Sequence, residues 1–271
     1  MTPTALLSQP LTIPWKHRDL LRSLVRRNIA MRHRGSLLGA GWLLATPLLM
    51  LAVYTVIFSQ VFQVRWGTEN ESSIYFALAL LCGLTVYNIV SETLSASATI
   101  IAQNPNYVTK VVFPLEILPV STLLTSLTLS LIWFGLLLAG VLFTTQSLPL
   151  TALLLPVVLA PLVLMTCGLS WLLASLGVYF RDVSQALVIV LQVLFFLTPI
   201  FYNVDMIPDR LRTFIFLNPL TGVVENTRSI ILEGELPDWR SVVALGVASV
   251  VVFFGGFAWF RATKQGFADV L

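Results

Sequence analysis

Few side chains in this sequence could catalyse a reaction or bind a metal, and those few are scattered along the chain. His17 and His33 lie in a basic segment, whereas Cys82 and Cys167 each lie inside an apolar run with no second type of ligand nearby. Such cysteines are typical of small buried hydrophobic residues rather than of a metal site or a disulfide. We therefore expect neither an enzymatic reaction nor a bound metal in this chain.

Glu92 comes closest to a carboxylate inside an apolar segment. It falls near the end of an apolar run, beside Ser91 and Thr93. No partner carboxylate lies mid-span at the spacing of a proton relay. We expect Glu92 to reach the membrane interface or to cap a helix, and a contact with a transported substrate is the alternative.

The absence of one dipeptide argues against nucleotide hydrolysis by this chain. The loop that holds phosphates in P-loop ATPases ends in Gly-Lys-Ser/Thr, and the sequence contains no Gly-Lys. A process driven by ATP would therefore need a separate protein to bind the nucleotide. No cofactor is expected here.

The composition is that of a membrane protein. Of 271 residues, 57% are hydrophobic and 11% are charged, with a mean hydropathy of +0.88; soluble domains carry about 25% charged residues. A bilayer core about 30 Å thick is crossed by about 20 helical residues, so several spans fit. Hydropathy predicts six of them, at residues 36–62, 74–91, 117–143, 151–179, 185–202 and 242–260.

The distribution of basic residues predicts the orientation. Seven of the 16 Lys and Arg residues precede Gly35, and six spans place eleven of the 16 on the side of the N-terminus. Because an excess of Lys and Arg marks the cytoplasmic side, we expect an all-α polytopic protein of the cytoplasmic (inner) membrane with both termini in the cytoplasm. Residues 1–35 would form an N-terminal cytoplasmic segment and residues 36–271 the transmembrane domain.

The basic N-terminal segment is predicted to be an amphipathic helix over residues 15–32. Apolar residues recur there at helical spacing, with arginines on another side: Leu20, Leu21, Leu24, Val25 and Ile29 against Arg18, Arg22, Arg26 and Arg27. A basic segment can bind nucleic acid, but this one adjoins a long apolar run, so a membrane anchor is favoured and no nucleic-acid partner is expected. A passive anchor and a docking site for a partner protein both remain open.

Two further segments differ from ordinary loops. Residues 103–119 contain three prolines among apolar residues, which predicts a short helix bounded by breaks, suited to receive force from another protein. Residues 203–240 are too long for a plain connector, and their two apolar pieces are too short to span. They favour a re-entrant helical hairpin before the last span. In its second half, Glu225 and Arg228 are spaced to pair.

Five stretches, in order, resemble one family, the type-2 ABC exporter permeases that move lipid-linked polysaccharides such as O-antigen and teichoic acid. They read RHRGSLLGAGWLLATPLLMLAVYTVIFSQVF (residues 32–62), KVVFPLEILP (110–119), FRDVSQALVIVLQVLFFLTPIFY (180–202), NPLTGVVENTRSIILEG (218–234) and the ending FRATKQGFADVL. The chain departs from the family at Leu115, where an arginine is more usual before the glutamate. An arginine-based contact to a partner is therefore not expected.

The resemblance implies a homodimer joined to two copies of a separate ATP-binding subunit, which would bind ATP and Mg²⁺, and a lipid-linked polysaccharide as the substrate. We expect the short helix to couple to that subunit through Asn104, Tyr107, Lys110, Val111 and Glu116, with Glu116 orienting the loop. Two rival interpretations are an exporter of a small drug or lipid and a non-transporting membrane scaffold.

Two more groups of residues are candidates for the transport path. Aromatic residues crowd the first two spans and could stack on sugar rings: Trp42, Tyr54, Phe58, Phe62, Trp66, Tyr75, Phe76 and Tyr87. The hairpin is predicted to form an exit gate through Val224, Glu225, Thr227 and Arg228, with Asn226 among the polar groups offered to the glycan. A surface helix that only seals the dimer from solvent is the alternative. Gly35, Gly39 and Gly41 have the spacing of small residues at close helix contacts, either within one protomer or between two.

Overall fold

The computed structural model describes residues 3–32, 35–57, 73–109 and 113–271, and within these ranges the fold is helical with no strand. The predicted all-α class is therefore confirmed. The helices are α1 (Pro3–Lys16), α2 (Arg18–Arg32), α3 (Trp42–Thr55), α4 (Ser73–Ile100), α5 (Pro105–Thr109), α6 (Ile117–Thr145), α7 (Leu155–Tyr179), α8 (Val183–Leu197), α9 (Asp209–Phe216), α10 (Pro219–Arg228), α11 (Trp239–Thr263) and α12 (Phe267–Val270). Short 3₁₀ turns occur at Gly39–Gly41, Leu150–Leu154, Val204–Met206 and Lys264–Gly266, and a π turn at Ser229–Glu233.

Four segments of the described chain are long and apolar enough to cross a membrane: Ile74–Ile100, Ile117–Thr145, Leu150–Tyr179 and Trp239–Val270. Two shorter apolar segments, Gly39–Thr55 and Val183–Leu197, fall where the first and fifth spans are predicted. The protein is thus a multi-pass membrane protein.

The second span is longer than predicted, since α4 continues past Ser91 to Ile100. Its polar residues do not end the helix because they bond within the bundle. Thr93 donates to the carbonyl of Ile89 at 2.6 Å, and the hydroxyls of Ser97 and Thr122 lie 2.8 Å apart. Small hydroxyls satisfied in this way cost little inside a membrane protein.

Helix α4 is the centre of the bundle. It packs against α3, α6, α7, α8 and α10, and Ala79, Leu80 and Cys82 on successive faces are fully buried. A helix that is apolar on all sides is stable only where other helices or lipid surround it. The surroundings of α4 therefore explain why apolar residues occur on every side of it. The position of α4 brings it into contact with each candidate region described below.

Close helix contacts occur at glycines other than those predicted. Gly35 and Gly39 have φ of +84° and +48°, and a Cβ there would meet nothing within 4 Å, so they serve the turn before α3 and not a helix contact inside the protomer. One close approach lies between α7 and α11, where a Cβ added at Gly256 would overlap the backbone of Gly168, and another lies between α7 and α4, at Gly177 and Ala98. Within the described part of one protomer Gly35 and Gly39 make no such contact, and a contact between protomers stays a prediction.

The N-terminal segment forms two helices rather than one. A turn at His17 separates α1, which the sequence did not predict, from α2. Helix α2 packs on α6 and buries Leu21 and Leu24, while Arg22 and Arg26 are exposed. The predicted amphipathic character is confirmed over Arg18–Arg32.

We predict that Gly256→Ala destabilises the protein, because its methyl group would enter the backbone of Gly168, which cannot move aside as a side chain can. Overpacking of this kind costs about 1–3 kcal/mol. Thermal unfolding in detergent should show a lower midpoint. The matched control is Gly255→Ala on the adjacent residue, where a Cβ meets nothing within 4 Å; equal midpoints for the two variants would contradict the role of the α7–α11 contact.

Candidate functional site

Helix α5 is the short helix predicted within residues 103–119, and its inward side is fixed to α2. Tyr107 stacks on Phe113 with ring centroids 4.3 Å apart, and its hydroxyl accepts a hydrogen bond of 2.9 Å from Nη1 of Arg27. Asn104 joins α5 to the end of α4, because its Nδ2 donates to the carbonyl of Ile100 at 2.8 Å. Tyr107 therefore holds the helix in place, whereas the exposed side of α5 consists of Pro105, Asn106 and Thr109. Lys110 and Val111 lie outside the described residues.

Glu116, the residue expected to orient the loop, anchors it in two ways. Its side chain is 8% exposed and accepts from Nζ of Lys264 at 2.9 and 3.1 Å. Its backbone carbonyl accepts from the indole N–H of the buried Trp171 at 2.8 Å. The neighbouring Leu115 is itself buried in the apolar cluster of this end of the bundle, which explains a leucine at that position.

Glu92 makes a bidentate ion pair with Arg32 at the end of α2, with N–O distances of 2.8 and 2.6 Å. The hydrogen bond from Arg32 to Glu92 raises the pKa of the guanidinium above its ordinary value. Two parallel charge-assisted bonds fix orientation as well as distance. The pair ties the amphipathic helix to the middle of α4, a contact that neither the capping nor the snorkelling interpretation included.

The described aromatic candidates divide into two groups. Tyr54, Tyr75, Phe76 and Tyr87 belong to one cluster, together with Phe195, Phe201 and Tyr202 that follow α7 in the chain. Within it Phe76 is buried against Ile200 and Leu80, so it is a core residue of the protomer rather than a lining residue. Trp42 lies apart, in a small cavity beside the Arg32–Glu92 pair, and donates to Oγ of Ser36 at 2.8 Å. Phe58, Phe62 and Trp66 lie outside the described residues.

A groove of about 560 Å³ lies between α4 and α8. Its lining combines polar and aromatic side chains: Tyr87, Ser91, Glu92 and Ser95 from α4, and Val188, Leu191, Gln192, Phe195 and Phe196 from α8. Tyr87, Ser91 and Ser95 are four residues apart and so share one face of α4. Tyr87 also donates to the carbonyl of Leu191 at 2.8 Å and packs edge-on against Phe195. Hydroxyls and rings on facing helices suit a hydrated polar substrate such as a sugar.

The segment between α8 and α11 is helical, as predicted. Asn218 caps α10 by accepting from the N–H of Leu220 at 3.0 Å, with Pro219 at the first helical position. The chain leaves α10 through the π turn, whose Ile230 carbonyl accepts from the hydroxyl of Thr151 at 2.6 Å. Val224 and Thr227 are fully buried, so the side of α10 that carries them packs against neighbouring residues.

Arg228 fixes α10 to the bundle. The predicted pair with Glu225 is confirmed, at 2.7 Å. The guanidinium, whose side chain is 3% exposed, also donates to the carbonyl of Ala79 on α4 and to that of Ile200 at 3.0 Å. Three segments distant in sequence thus meet on one buried cation, and buried charges require such partners.

Asn226 has a different position from the one expected. It is buried, its Nδ2 donates to Oγ of Ser241 at 2.8 Å, and its Oδ1 accepts from the N–H of Asp238 at 2.6 Å. These bonds close the hairpin onto the start of α11. The side chain is therefore not presented to a glycan in this structure.

Sequence patterns did not single out several residues that the structure places in these regions: Arg32, Lys264, Gln192, Phe195 and Phe201. Gln192 had a usable signal, since it is an amide inside the apolar run of residues 186–197. Arg32 and Lys264 had none, because each contacts a partner 60 or 148 residues away.

The chain is similar to known transport proteins over most of its length. The family model for ABC-2 type transporters matches residues 19–232. The chain is 30% identical over 257 residues to the O-antigen export system permease protein RfbA of Myxococcus xanthus, covering 94% of this chain and 96% of that protein. It is 26% identical to the protein of the same name from Klebsiella pneumoniae, with 93% and 95% covered. A shorter match, 26% identity over 102 residues, is to the polysialic acid transport protein KpsM of Escherichia coli.

We predict that Arg228→Gln destabilises the protein strongly, because it leaves the carbonyls of Ala79 and Ile200 without their donor. Breaking a buried charged contact costs about 3–5 kcal/mol, which corresponds to a fall in the unfolding midpoint on the order of 10 °C. The control is Arg240→Gln, an exposed arginine at the start of α11. Similar midpoints for both variants in detergent would show that Arg228 does not fix the hairpin.

Proposed function

The chain belongs to the ABC-2 type transporter family, and from this premise we propose that it is the permease subunit of an ATP-driven exporter of a lipid-linked polysaccharide, O-antigen. It moves that substrate from the cytoplasmic to the outer side of the inner membrane. The observation that carries the proposal is the similarity to an O-antigen export permease across nearly the whole of both chains. The match to a polysialic acid transport protein supports the same substrate class.

In this proposal the chain is not an enzyme, and the energy comes from a partner. The sequence has no Gly-Lys for a phosphate-binding loop, so ATP and Mg²⁺ are bound by separate ATP-binding subunits, two copies of which serve a homodimer of this chain. Both termini are cytoplasmic, which places α2 and α5 on the side of the nucleotide. The charge distribution along the sequence supports that orientation.

Coupling to the ATP-binding subunit is assigned to α5. Its outward residues, Asn106 and Thr109, are available to a partner, while Tyr107 fixes its inward side to α2. The Glu116–Lys264 pair fixes the start of the next span. A short helix bonded to the end of α4 through Asn104 and to α2 through Tyr107 passes a push on to both helices.

The glycan path is assigned to the groove between α4 and α8, and the hairpin to the exit. Val188 and Phe196 line the groove and belong to an apolar face of α8 that remains exposed in the protomer. A second copy facing this side would enclose the groove. Movement of α10 would then open the far end, where Glu225 and Arg228 meet.

The substrate is tested by deleting this chain's gene in its own organism. We expect surface polysaccharide to disappear while lipid-linked polymer accumulates on the cytoplasmic side, with wild-type complementation restoring export. Both quantities are measured by electrophoresis and by immunolabelling of intact cells. Normal surface polysaccharide together with altered drug sensitivity would identify a small-molecule exporter instead.

Coupling is tested in the same strain with Tyr107→Asp. The variant loses the contact with Arg27 and the stacking on Phe113, so we expect normal membrane insertion, loss of export and loss of permease-dependent ATPase activity in the purified complex. Tyr107→Phe keeps the stacking and loses one hydrogen bond, worth about 1 kcal/mol, and should remain active. Unchanged export and ATPase activity in Tyr107→Asp would refute the coupling role of α5.

A further inference from the structure

A cavity of about 520 Å³, separate from the groove between α4 and α8, lies among α7, α10 and α11. Its walls are mostly apolar, with Met165 from α7, Val223 from the hairpin and Leu245 from α11 among them, and its polar members are Asn218, Asn226 and Ser241. Its volume is in the range of ligand sites.

The cavity exists because of where the helices touch. Helices α7 and α11 meet backbone to backbone at Gly168 and Gly256, and nearer to their N-terminal ends α10 contacts both. There α11 presents small exposed side chains, Ala244 and Ala248, which do not fill the space. From Ser241 to Ala248 the cavity follows α11 for about 10 Å, roughly a third of a bilayer core.

The polar groups of the cavity are already satisfied by the protein. Asn218 donates to Oγ1 of Thr198 at 2.9 Å and caps α10, and Asn226 is bonded to Ser241 and Asp238. They offer little to hold water, which needs unsatisfied polar partners to occupy a cavity. The space is suited to a hydrocarbon chain.

A second cavity, of about 380 Å³, continues from the first, and Phe216, Gly222, Asn226 and Ser241 line both. Its lining is polar and charged: Glu225, Glu235 and Asp238 against Arg212, together with Asn203 and Ser229. Glu225 is paired with the buried Arg228, so among the described lining residues Glu235 and Asp238 against Arg212 leave a formal charge of −1. The two cavities therefore form one cleft that is apolar at one end and mainly anionic, with one cation, at the other.

We propose that this cleft binds one zwitterionic phospholipid with a primary ammonium head group. A hydrocarbon chain lies along α11 in the apolar part, the ammonium lies near Glu235 and Asp238, and the phosphate lies near Arg212. The change of polarity along the cleft matches that of a single lipid at the edge of a bilayer. A helix of another protein is about 10 Å wide and would not reach into the narrow space beside α10.

Such a lipid would pack against the side of α10 that lines the cavity and would stabilise the hairpin there. Pro219, Gly222, Val223 and Asn226 form the cavity face of α10, at the spacing of one helix side. Arg228, at the C-terminal end of α10, bonds this helix to α4. The lipid and the arginine thus fix the same helix from two sides, which makes the hairpin sensitive to the membrane around it.

The chain site is tested in nanodiscs of phosphatidylethanolamine and phosphatidylglycerol that contain phosphatidylethanolamine with a photoreactive acyl chain. With the full-length protein, mass spectrometry should find adducts concentrated on the cavity residues of α7, α10 and α11. Ala248→Trp fills the cavity and should reduce these adducts about tenfold, equivalent to about 1.4 kcal/mol. Ala258→Trp, on an exposed part of α11 outside the cavity, should leave them unchanged. Adducts spread evenly over the lipid-facing surface, or an Ala248→Trp effect on oligomeric state without specific adducts, would overturn the proposal.

The head group is tested by exchanging the photoreactive lipid for phosphatidylglycerol or phosphatidylcholine. Wild-type protein should prefer phosphatidylethanolamine, since only its head group carries ammonium N–H donors. Glu235→Gln should lose that preference while keeping chain labelling, and Glu233→Gln, an exposed neighbour outside the cleft, should retain it. Equal or stronger cavity labelling by phosphatidylglycerol in the wild type would refute the assigned head group. These results do not depend on the polysaccharide, so they separate this proposal from the export function.

Discussion

A buried guanidinium must be completely paired inside a bundle of apolar helices, and much of this structure follows from how Arg228 meets that requirement. Among the described residues, its partners include one carboxylate and two backbone carbonyls, from α10, α4 and the turn after α8. Away from water each unpaired group would cost several kcal/mol. The arginine therefore fixes the position of the hairpin against α4 and the turn after α8.

The same requirement explains which parts of the fold could be read from the sequence. Spans and short helices are local properties, so hydropathy and proline spacing were sufficient to locate α4, α6, α7 and α11 as well as α5. The Glu225–Arg228 pair was also predictable, because residues three positions apart on a helix are neighbours in space. The end of α4 was misplaced because a count of polar residues cannot tell that Ser97 bonds to Thr122 on another helix.

Contacts between segments distant in sequence could not be derived from one chain. The spacing of Gly35 and Gly39 resembled a helix contact, yet their positive φ shows that they are turn residues. Gly168 and Gly256 carry no comparable local signal, although their contact brings α7 against α11. The same limit applies to the site: Tyr107 was selected correctly as part of the short helix, but its partner Arg27 lies 80 residues away. Asn226 was assigned to a substrate because its bonds to Ser241 and Asp238 were invisible in the sequence.

Helix α4 gives a physical reason why events at the two ends of the permease would be linked. Its 28 residues form one rod about 42 Å long. Near one end the Ala79 carbonyl receives Arg228 from the hairpin, and at the other end Asn104 bonds to the Ile100 carbonyl beside α5. Between them, Tyr87 and Glu92 face the groove, and Glu92 holds α2 through Arg32. Because a hydrogen-bonded helix resists stretching, in the proposed coupling role a push on α5 would reach the hairpin as a displacement of the whole rod, and the groove wall would move with it.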